Sequence, residues 1–141
     1  MNALIHDSAA IPSLEHLARV AARGDDRPSR WEAVLVWTAQ LALAAMLITG
    51  GTAMLMNDPR MIEIFGSIGY GQGIRSVAGA VELAAGLALL HPATAIAGAL
   101  LAIPTLAAAI GAHVFLLGDS PALASVLLLA AAAIAWVRRP E

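Results

Sequence analysis

The stretch that decides the fold is residues 33–57, AVLVWTAQLALAAMLITGGTAMLMN, which lies between Glu32 and Asp58. It holds 25 consecutive residues without an ionisable side chain. A helix rises about 1.5 Å per residue and the hydrocarbon core of a bilayer is about 30 Å thick, so about 20 apolar residues are enough to cross it. The stretch therefore predicts a membrane-spanning helix over about residues 31–56.

Three further apolar stretches follow, and turn signals separate them. Residues 83–118 lack Arg, Asp and Glu and could form one long helix. However, His91-Pro92 supplies a break, because the residue before a proline disfavours helix. Gly118-Asp119-Ser120-Pro121 is a second turn signal. The predicted spans are residues 31–56, 75–90, 93–117 and 122–137. In the connection 57–74, residues 61–65 predict one interfacial turn of helix, followed by a flexible glycine-rich approach to the second span.

The sequence thus predicts an all-α fold, a four-helix transmembrane bundle over residues 31–139 with a polar N-terminal arm over residues 1–30. Within the arm, a short amphipathic helix is expected over residues 14–23, with Ser13 as its cap. Overall, 60% of the chain is hydrophobic and 13% is charged, and the net charge of -2 gives no reason to expect a nucleic-acid partner. The chain has no cysteine, which excludes disulfides and thiolate metal sites. The expected partner is the lipid bilayer, and a homo-oligomer is compatible with the sequence.

The placement of arginine predicts the topology. Membrane proteins carry an excess of Lys and Arg in their cytoplasmic loops, and this chain has arginine but no lysine. The first connection holds Arg60, and the last connection has none. Both termini are therefore predicted to be cytoplasmic. The six arginines on the cytoplasmic side are Arg19, Arg23, Arg27, Arg30, Arg138 and Arg139.

Three ionisable residues fall within the second and third predicted spans: Arg75, Glu82 and His113. A charged side chain at membrane depth costs roughly 2.5–3.5 kcal/mol on insertion scales, so such a residue usually faces the bundle interior and has a partner. Glu82 follows Arg75 by seven residues, which is close to two helical turns and roughly 10 Å. If spans two and three are antiparallel neighbours, Glu82 and His113 could meet directly or through a water.

These residues have two interpretations, which the sequence leaves open. In the functional interpretation, Glu82 and His113 are catalytic groups that exchange protons with a bound molecule, while Arg75, Gln72 and Tyr70 line the ligand-binding mouth of a polar pocket. In the structural interpretation, the charged groups satisfy one another and fix the register of the helices.

The sequence resembles the DoxX-like family over about residues 33–139. The resemblance rests on the order of residues 65–75 (FGSIGYGQGIR), 79–86 (GAVELAAG), 92–99 (PATAIAGA), 111–113 (GAH) and 135–139 (AWVRR). It implies a four-helix membrane protein, usually of the bacterial inner membrane. The family's name comes from relatives of a thiosulfate:quinone oxidoreductase subunit, and some members are thought to serve membrane redox or stress systems. The positions that match the family pattern are Arg75, Glu82 and His113.

Three hypotheses follow. The first is an accessory subunit of a membrane redox system, which binds a quinone or another lipid-soluble molecule near Glu82 and His113 and supports a redox enzyme partner. The second is a membrane enzyme that transfers protons on a lipophilic substrate, as an isomerase does. The third is a structural or assembly protein without a site.

Overall fold

The computed structural model describes residues 13–15, 29–69 and 71–139, and these residues contain helices but no strand. The predicted arm helix over residues 14–23 lies almost wholly outside the described residues. The helices are α1 (Arg30–Leu55), α2 (Pro59–Ile68), α3 (Gly71–Leu89), α4 (Ala95–Ala112) and α5 (Ala122–Val137). A five-residue π-helical segment, His113–Leu117, continues α4.

The connection between the first two predicted spans is more helical than expected. Asp58 accepts a hydrogen bond from the backbone N–H of Arg60 at 2.9 Å, and Pro59 occupies the first helical position. Both features favour the start of a helix, so α2 forms where a single turn was predicted. Gly69 then ends α2 with a left-handed φ of 81°. The next helix, α3, begins at Gly71, four residues before the predicted start of the second span.

The four long helices form a closed bundle. Helix α1 packs against α3, α3 against α4, α4 against α5, and α5 returns to α1. Helix α2 lies against α3 at one end of the bundle, which we call the α2 end. The opposite end, which holds the first turns of α1 and the last turns of α5, is called the Trp37 end. The buried hydrophobic core consists of Leu43, Ala44, Leu47, Ala85, Leu89, Ala99, Ala102, Leu106, Ala131 and Ile134.

Glycines bring α1 and α3 unusually close together. A Cβ added to Gly51 would lie 2.7 Å from both the Gly79 carbonyl oxygen and the Leu83 nitrogen. A Cβ on Gly79 would lie 2.7 Å from Cβ of Met54, and one on Gly86 would lie 3.0 Å from the Ala44 carbonyl oxygen. These distances leave no room for a side chain. The two backbones therefore meet through small residues, as is common in membrane helix pairs.

Helices α3 and α4 are close at only one end. Near the Trp37 end, a Cβ on Gly98 would lie 2.7 Å from the Ala85 carbonyl oxygen and 2.9 Å from the Leu89 nitrogen. Toward the α2 end, residues of both helices instead line a cavity. The two helices therefore diverge from a tight contact to an open space.

The outer surface of the bundle is apolar. Among the residues that the structure describes, two segments, Arg30–Leu55 and Ala95–Leu117, are long and apolar enough to cross a membrane. Only 22% and 11% of their most apolar windows are buried inside the protein, whereas the core helix of a soluble protein would be mostly buried. Large hydrophobic side chains such as Leu35, Phe115 and Leu129 are 68%, 85% and 70% exposed. Hydrocarbon is the solvent that suits such a surface.

The contact between α1 and α3 gives a first prediction. Gly79→Ala should lower the free energy of unfolding by about 1–3 kcal/mol, because the added methyl group overlaps atoms of α1. Gly73→Ala in the same helix is the matched control, since nothing lies within 4 Å of its added Cβ. That substitution should be neutral or stabilise the helix by up to about 1 kcal/mol. Thermal unfolding in detergent measures both, and equal stability of the two variants would contradict the close packing.

Candidate functional site

A cavity of about 560 Å³ lies at the α2 end, between α3 and α4. Helix α2 and the end of α1 contribute the remaining walls. Ile74, Phe115 and Leu116 line it and are more than half exposed, so the cavity is open to the surroundings of the bundle. Its lining residues are Met54, Phe65, Ile68, Ile74, Ala78, Glu82, Thr105, Ala108, Ala109, Gly111, Ala112, Phe115 and Leu116.

Glu82 is the one ionisable residue among the described residues that line the cavity. Ile74, Ala78 and Glu82 follow one another at four-residue intervals along α3, so they share a helix face. On its other side the carboxyl group rests against α1, because a Cβ on Gly50 would lie 3.1 Å from Glu82 Oε2. Within the part of the chain that the structure describes, the Glu82 side chain has no hydrogen-bond or ion-pair partner.

The remaining polar group in the lining is already partly engaged. The Thr105 hydroxyl donates a hydrogen bond to the Ala102 carbonyl oxygen at 2.8 Å. The hydroxyl oxygen still has acceptor capacity. The cavity therefore offers a molecule one carboxyl group, one hydroxyl oxygen and otherwise apolar walls. A carboxyl group donates a hydrogen bond when it is protonated and accepts hydrogen bonds in either state.

Arg75 lies beside the cavity, in a polar cluster that joins three elements. Its side chain is only 5% exposed. Arg75 Nε donates to Gln72 Oε1 at 2.7 Å, and Nη2 donates to Asn57 Oδ1 at 2.7 Å. Gln72 Nε2 in turn donates to the Ile62 carbonyl oxygen at 3.2 Å. The cluster thus ties the end of α1, helix α2 and the start of α3 together. Arg75 Nη1 is buried and has no partner among the described residues.

Within the described residues, His113 forms no hydrogen bond or ion pair with Glu82. Its Nδ1 lies 2.5 Å from Oδ1 of Asp119 in the turn before α5. The His113 carbonyl oxygen also accepts the backbone N–H groups of Gly118 and Asp119. The direct meeting of Glu82 and His113 considered from the sequence is therefore not formed. The physical reason is that the π-helical turn and the nearby Asp119 give the imidazole a partner within its own loop.

The other sequence-predicted residues have different outcomes. Gln72 lies in the cluster with Arg75, while Tyr70 lies outside the described residues. Gln40 was not predicted, although it is fully buried and its Nε2 donates to the Leu89 carbonyl oxygen at 2.5 Å. That carbonyl belongs to the last turn of α3, where no intrahelical donor is available. The sequence could have indicated this residue, because a single amide side chain in an uncharged span needs a hydrogen-bond partner in its apolar surroundings.

The described residues hold no group of three or more His, Cys, Asp or Glu side chains that could bind a metal ion. What the geometry offers instead is a single carboxyl group in an open apolar cavity. The fold and this cavity are those of a helical membrane protein with an apolar cavity that opens on the surface of the bundle. The chain belongs to the DoxX-like family, whose model matches residues 38–136, more than half of its length. Comparisons with curated proteins and with solved structures gave no match.

The polar cluster gives a second prediction. Asn57→Gly removes the acceptor of Arg75 Nη2, and it should lower the free energy of unfolding by roughly 1 kcal/mol. Glycine accepts the left-handed φ of 60° at this position, so backbone strain cannot account for the loss. Asn57→Asp keeps the acceptor and is the matched control. Thermal unfolding of the purified protein measures both, and a fully stable glycine variant would show that the cluster does not hold the three elements together.

Proposed function

We propose that this protein binds a quinone or a similar uncharged, lipid-soluble molecule in the cavity at the α2 end, as an accessory subunit of a membrane redox system. The observation that carries the proposal is the carboxyl group of Glu82, which lies in an open apolar cavity without a partner among the described residues. A polar group in such surroundings is costly unless something binds it. A ligand with a polar head and an apolar body would supply the missing partner.

The size and chemistry of the cavity support this class of ligand. Its volume of about 560 Å³ lies within the range of pockets that bind small molecules and cofactors. A quinone carbonyl can accept a hydrogen bond from a protonated carboxyl group, and a quinol hydroxyl can donate one to a carboxylate. Among the described residues, no Arg or His lines the cavity, so an anionic head group would find no cation there. Fatty acids and other lipophilic anions are therefore poor candidates.

The two other hypotheses receive less support. Proton transfer that uses both Glu82 and His113 requires both groups to reach one substrate, but of the two only Glu82 lines the cavity. A purely structural role would pair Glu82 with a neighbour that fixes helix register, as Gln72 and Asn57 do for Arg75. Glu82 has no such neighbour among the described residues. Binding through one carboxyl group fits these contacts better than either alternative.

The proposed setting is the bacterial inner membrane, with both termini in the cytoplasm. The excess of arginine in the N-terminal arm and after α5 supports this orientation. The cavity would then lie in the outer half of the bilayer, at the level where the head of a membrane-dissolved quinone can reach Glu82. A partner enzyme would supply or accept the electrons, because the chain has no cysteine for thiol redox chemistry.

Ligand titration of the purified protein tests the proposal. Glu82→Leu removes both donor and acceptor, so the affinity for a short-chain benzoquinone and its quinol should fall roughly tenfold, as expected for the loss of one buried hydrogen bond. Glu63→Gln on α2 is the matched control, since Glu63 does not line the cavity, and it should leave the affinity unchanged.

Further variants separate binding from the alternatives. Ala109→Phe places a ring in the cavity while keeping the carboxyl group, and it should abolish binding by occlusion. Glu82→Gln keeps a hydrogen-bonding side chain but cannot transfer a proton, so it should retain most of the affinity. Unchanged affinity in both Glu82→Leu and Ala109→Phe would refute the proposed site. A substrate converted by the isolated protein, with conversion lost in Glu82→Gln, would instead establish the acid–base hypothesis.

A further inference from the structure

A second groove lies at the Trp37 end, far from Glu82. It has a volume of about 690 Å³ and is formed by the first turns of α1, the turn between α3 and α4, and the end of α5. Its main lining residues are Glu32, Val36, Trp37, Pro92, Val137 and Arg138. The groove therefore combines an apolar wall with one carboxylate and one guanidinium group. Nothing in the redox proposal uses these residues.

The guanidinium group of Arg138 in this groove does not have all of its hydrogen-bond partners. The guanidinium carbon of Arg138 lies 4.9 Å from the centre of the Trp37 ring, which holds the side chain by a cation–π contact. Arg138 Nε is buried and has no hydrogen-bond partner among the described residues. Because the Arg138 side chain also lines the groove, its guanidinium group can donate a charge-assisted hydrogen bond to a phosphate oxygen there.

The carboxylate of the groove, Glu32, has a partner of its own and does not pair with Arg138. Glu32 Oε2 accepts the backbone N–H of Ser29 at 2.7 Å, as part of the capping box that starts α1. Within the described residues, Glu32 and Arg138 form no ion pair with each other. One groove thus presents a negative and a positive group that are not neutralised by contact. A ligand that carries both charges would complement them.

We propose that this groove binds a zwitterionic phospholipid whose head group carries a primary ammonium, as in phosphatidylethanolamine. The phosphate would lie on Arg138, the ammonium would donate to Glu32, and an acyl chain would follow the apolar wall formed by Val36 and Val137. Tryptophan side chains favour the interface between head groups and hydrocarbon. Trp37 would therefore place the groove at the depth of the lipid head groups. The bilayer delivers this occupant without any further partner.

The charges of the groove discriminate among lipid classes. A phosphatidylglycerol head group carries the same phosphate but no cation, so its neutral glycerol hydroxyls would leave the charge of Glu32 uncompensated. A phosphatidylcholine head group has the same two charges as phosphatidylethanolamine, but its quaternary ammonium cannot donate a hydrogen bond to a carboxylate. Phosphatidylethanolamine alone among the three supplies a cation that can donate a hydrogen bond to Glu32 while its phosphate lies on Arg138.

Tryptophan quenching tests the assignment on the full chain in vesicles. In a Trp31→Phe/Trp136→Phe background, Trp37 is the remaining tryptophan. Acyl chains brominated near the head group are then introduced in phosphatidylethanolamine, phosphatidylcholine or phosphatidylglycerol at equal mole fraction. We expect the apparent affinity for phosphatidylethanolamine to exceed that for the other two lipids by roughly threefold, the scale of one partly exposed charge pair.

Three variants test which side chains cause the preference for phosphatidylethanolamine. Glu32→Gln removes the charge but can keep the capping box, because glutamine also serves at that position, and it should abolish the preference for phosphatidylethanolamine over phosphatidylcholine. Arg138→Gln should weaken all three lipids, since each carries a phosphate. Arg139→Gln is the matched control, because Arg139 carries the same charge at the next position but does not line the groove.

Several outcomes would overturn the proposal. Equal quenching by phosphatidylethanolamine and phosphatidylcholine would show that the ammonium is not recognised. A preference for phosphatidylglycerol would show that the arginines act alone. Retention of the phosphatidylethanolamine preference in Glu32→Gln would place the recognition elsewhere. Absence of quenching by any lipid would mean that another segment of the chain or a second copy covers Trp37.

Discussion

The close approach of α1 and α3 is the constraint on which the rest of the bundle depends. At Gly51, Gly79 and Gly86 the two helices approach so closely that an added Cβ would lie 2.7–3.0 Å from atoms of the other helix. In hydrocarbon the hydrophobic effect does not drive helices together, so contacts of this kind and a few hydrogen bonds must do so. Gln40 adds one such bond, since it joins the middle of α1 to the last turn of α3. These contacts fix both the rotation of α3 about its own axis and its position along the axis of α1.

Fixing α3 also determines where Glu82 can go. Gly79, Glu82 and Gly86 lie on neighbouring positions of α3, so the glycine contact holds the glutamate at the edge of the α1 interface. One side of its carboxyl group rests on Gly50, and the other side faces the space where α4 diverges. The divergence itself follows from Gly98, which draws α4 to α3 at the Trp37 end only. The same small residues that hold the helices together therefore also create the cavity.

Much of the fold could be predicted from the sequence, because an uncharged apolar run of 25 residues is long enough to cross a bilayer as one helix. The all-α bundle was predicted in this way, whereas the family was predicted from the order of short motifs between residues 65 and 139, and both predictions are confirmed. The partners of individual residues were harder to predict. Arg75, Gln72 and His113 were recognised as polar groups in apolar surroundings, but their partners Asn57 and Asp119 lie in connections whose geometry has no periodic signal. The helical start at Asp58-Pro59 was likewise hidden in a connection, although its residue types favour a cap.

If the cavity binds a lipid-soluble molecule as proposed, its exposed apolar rim, which includes Phe115, determines which ligand concentration sets its occupancy. A pocket that opens sideways into hydrocarbon equilibrates with the dissolved pool in the bilayer, not with the aqueous concentration. Adding lipid at constant total ligand dilutes that pool and empties the pocket, even though nothing in the protein has changed. Occupancy in a cell would then follow the ratio of ligand to lipid, so that membrane growth without matching ligand synthesis would by itself lower it.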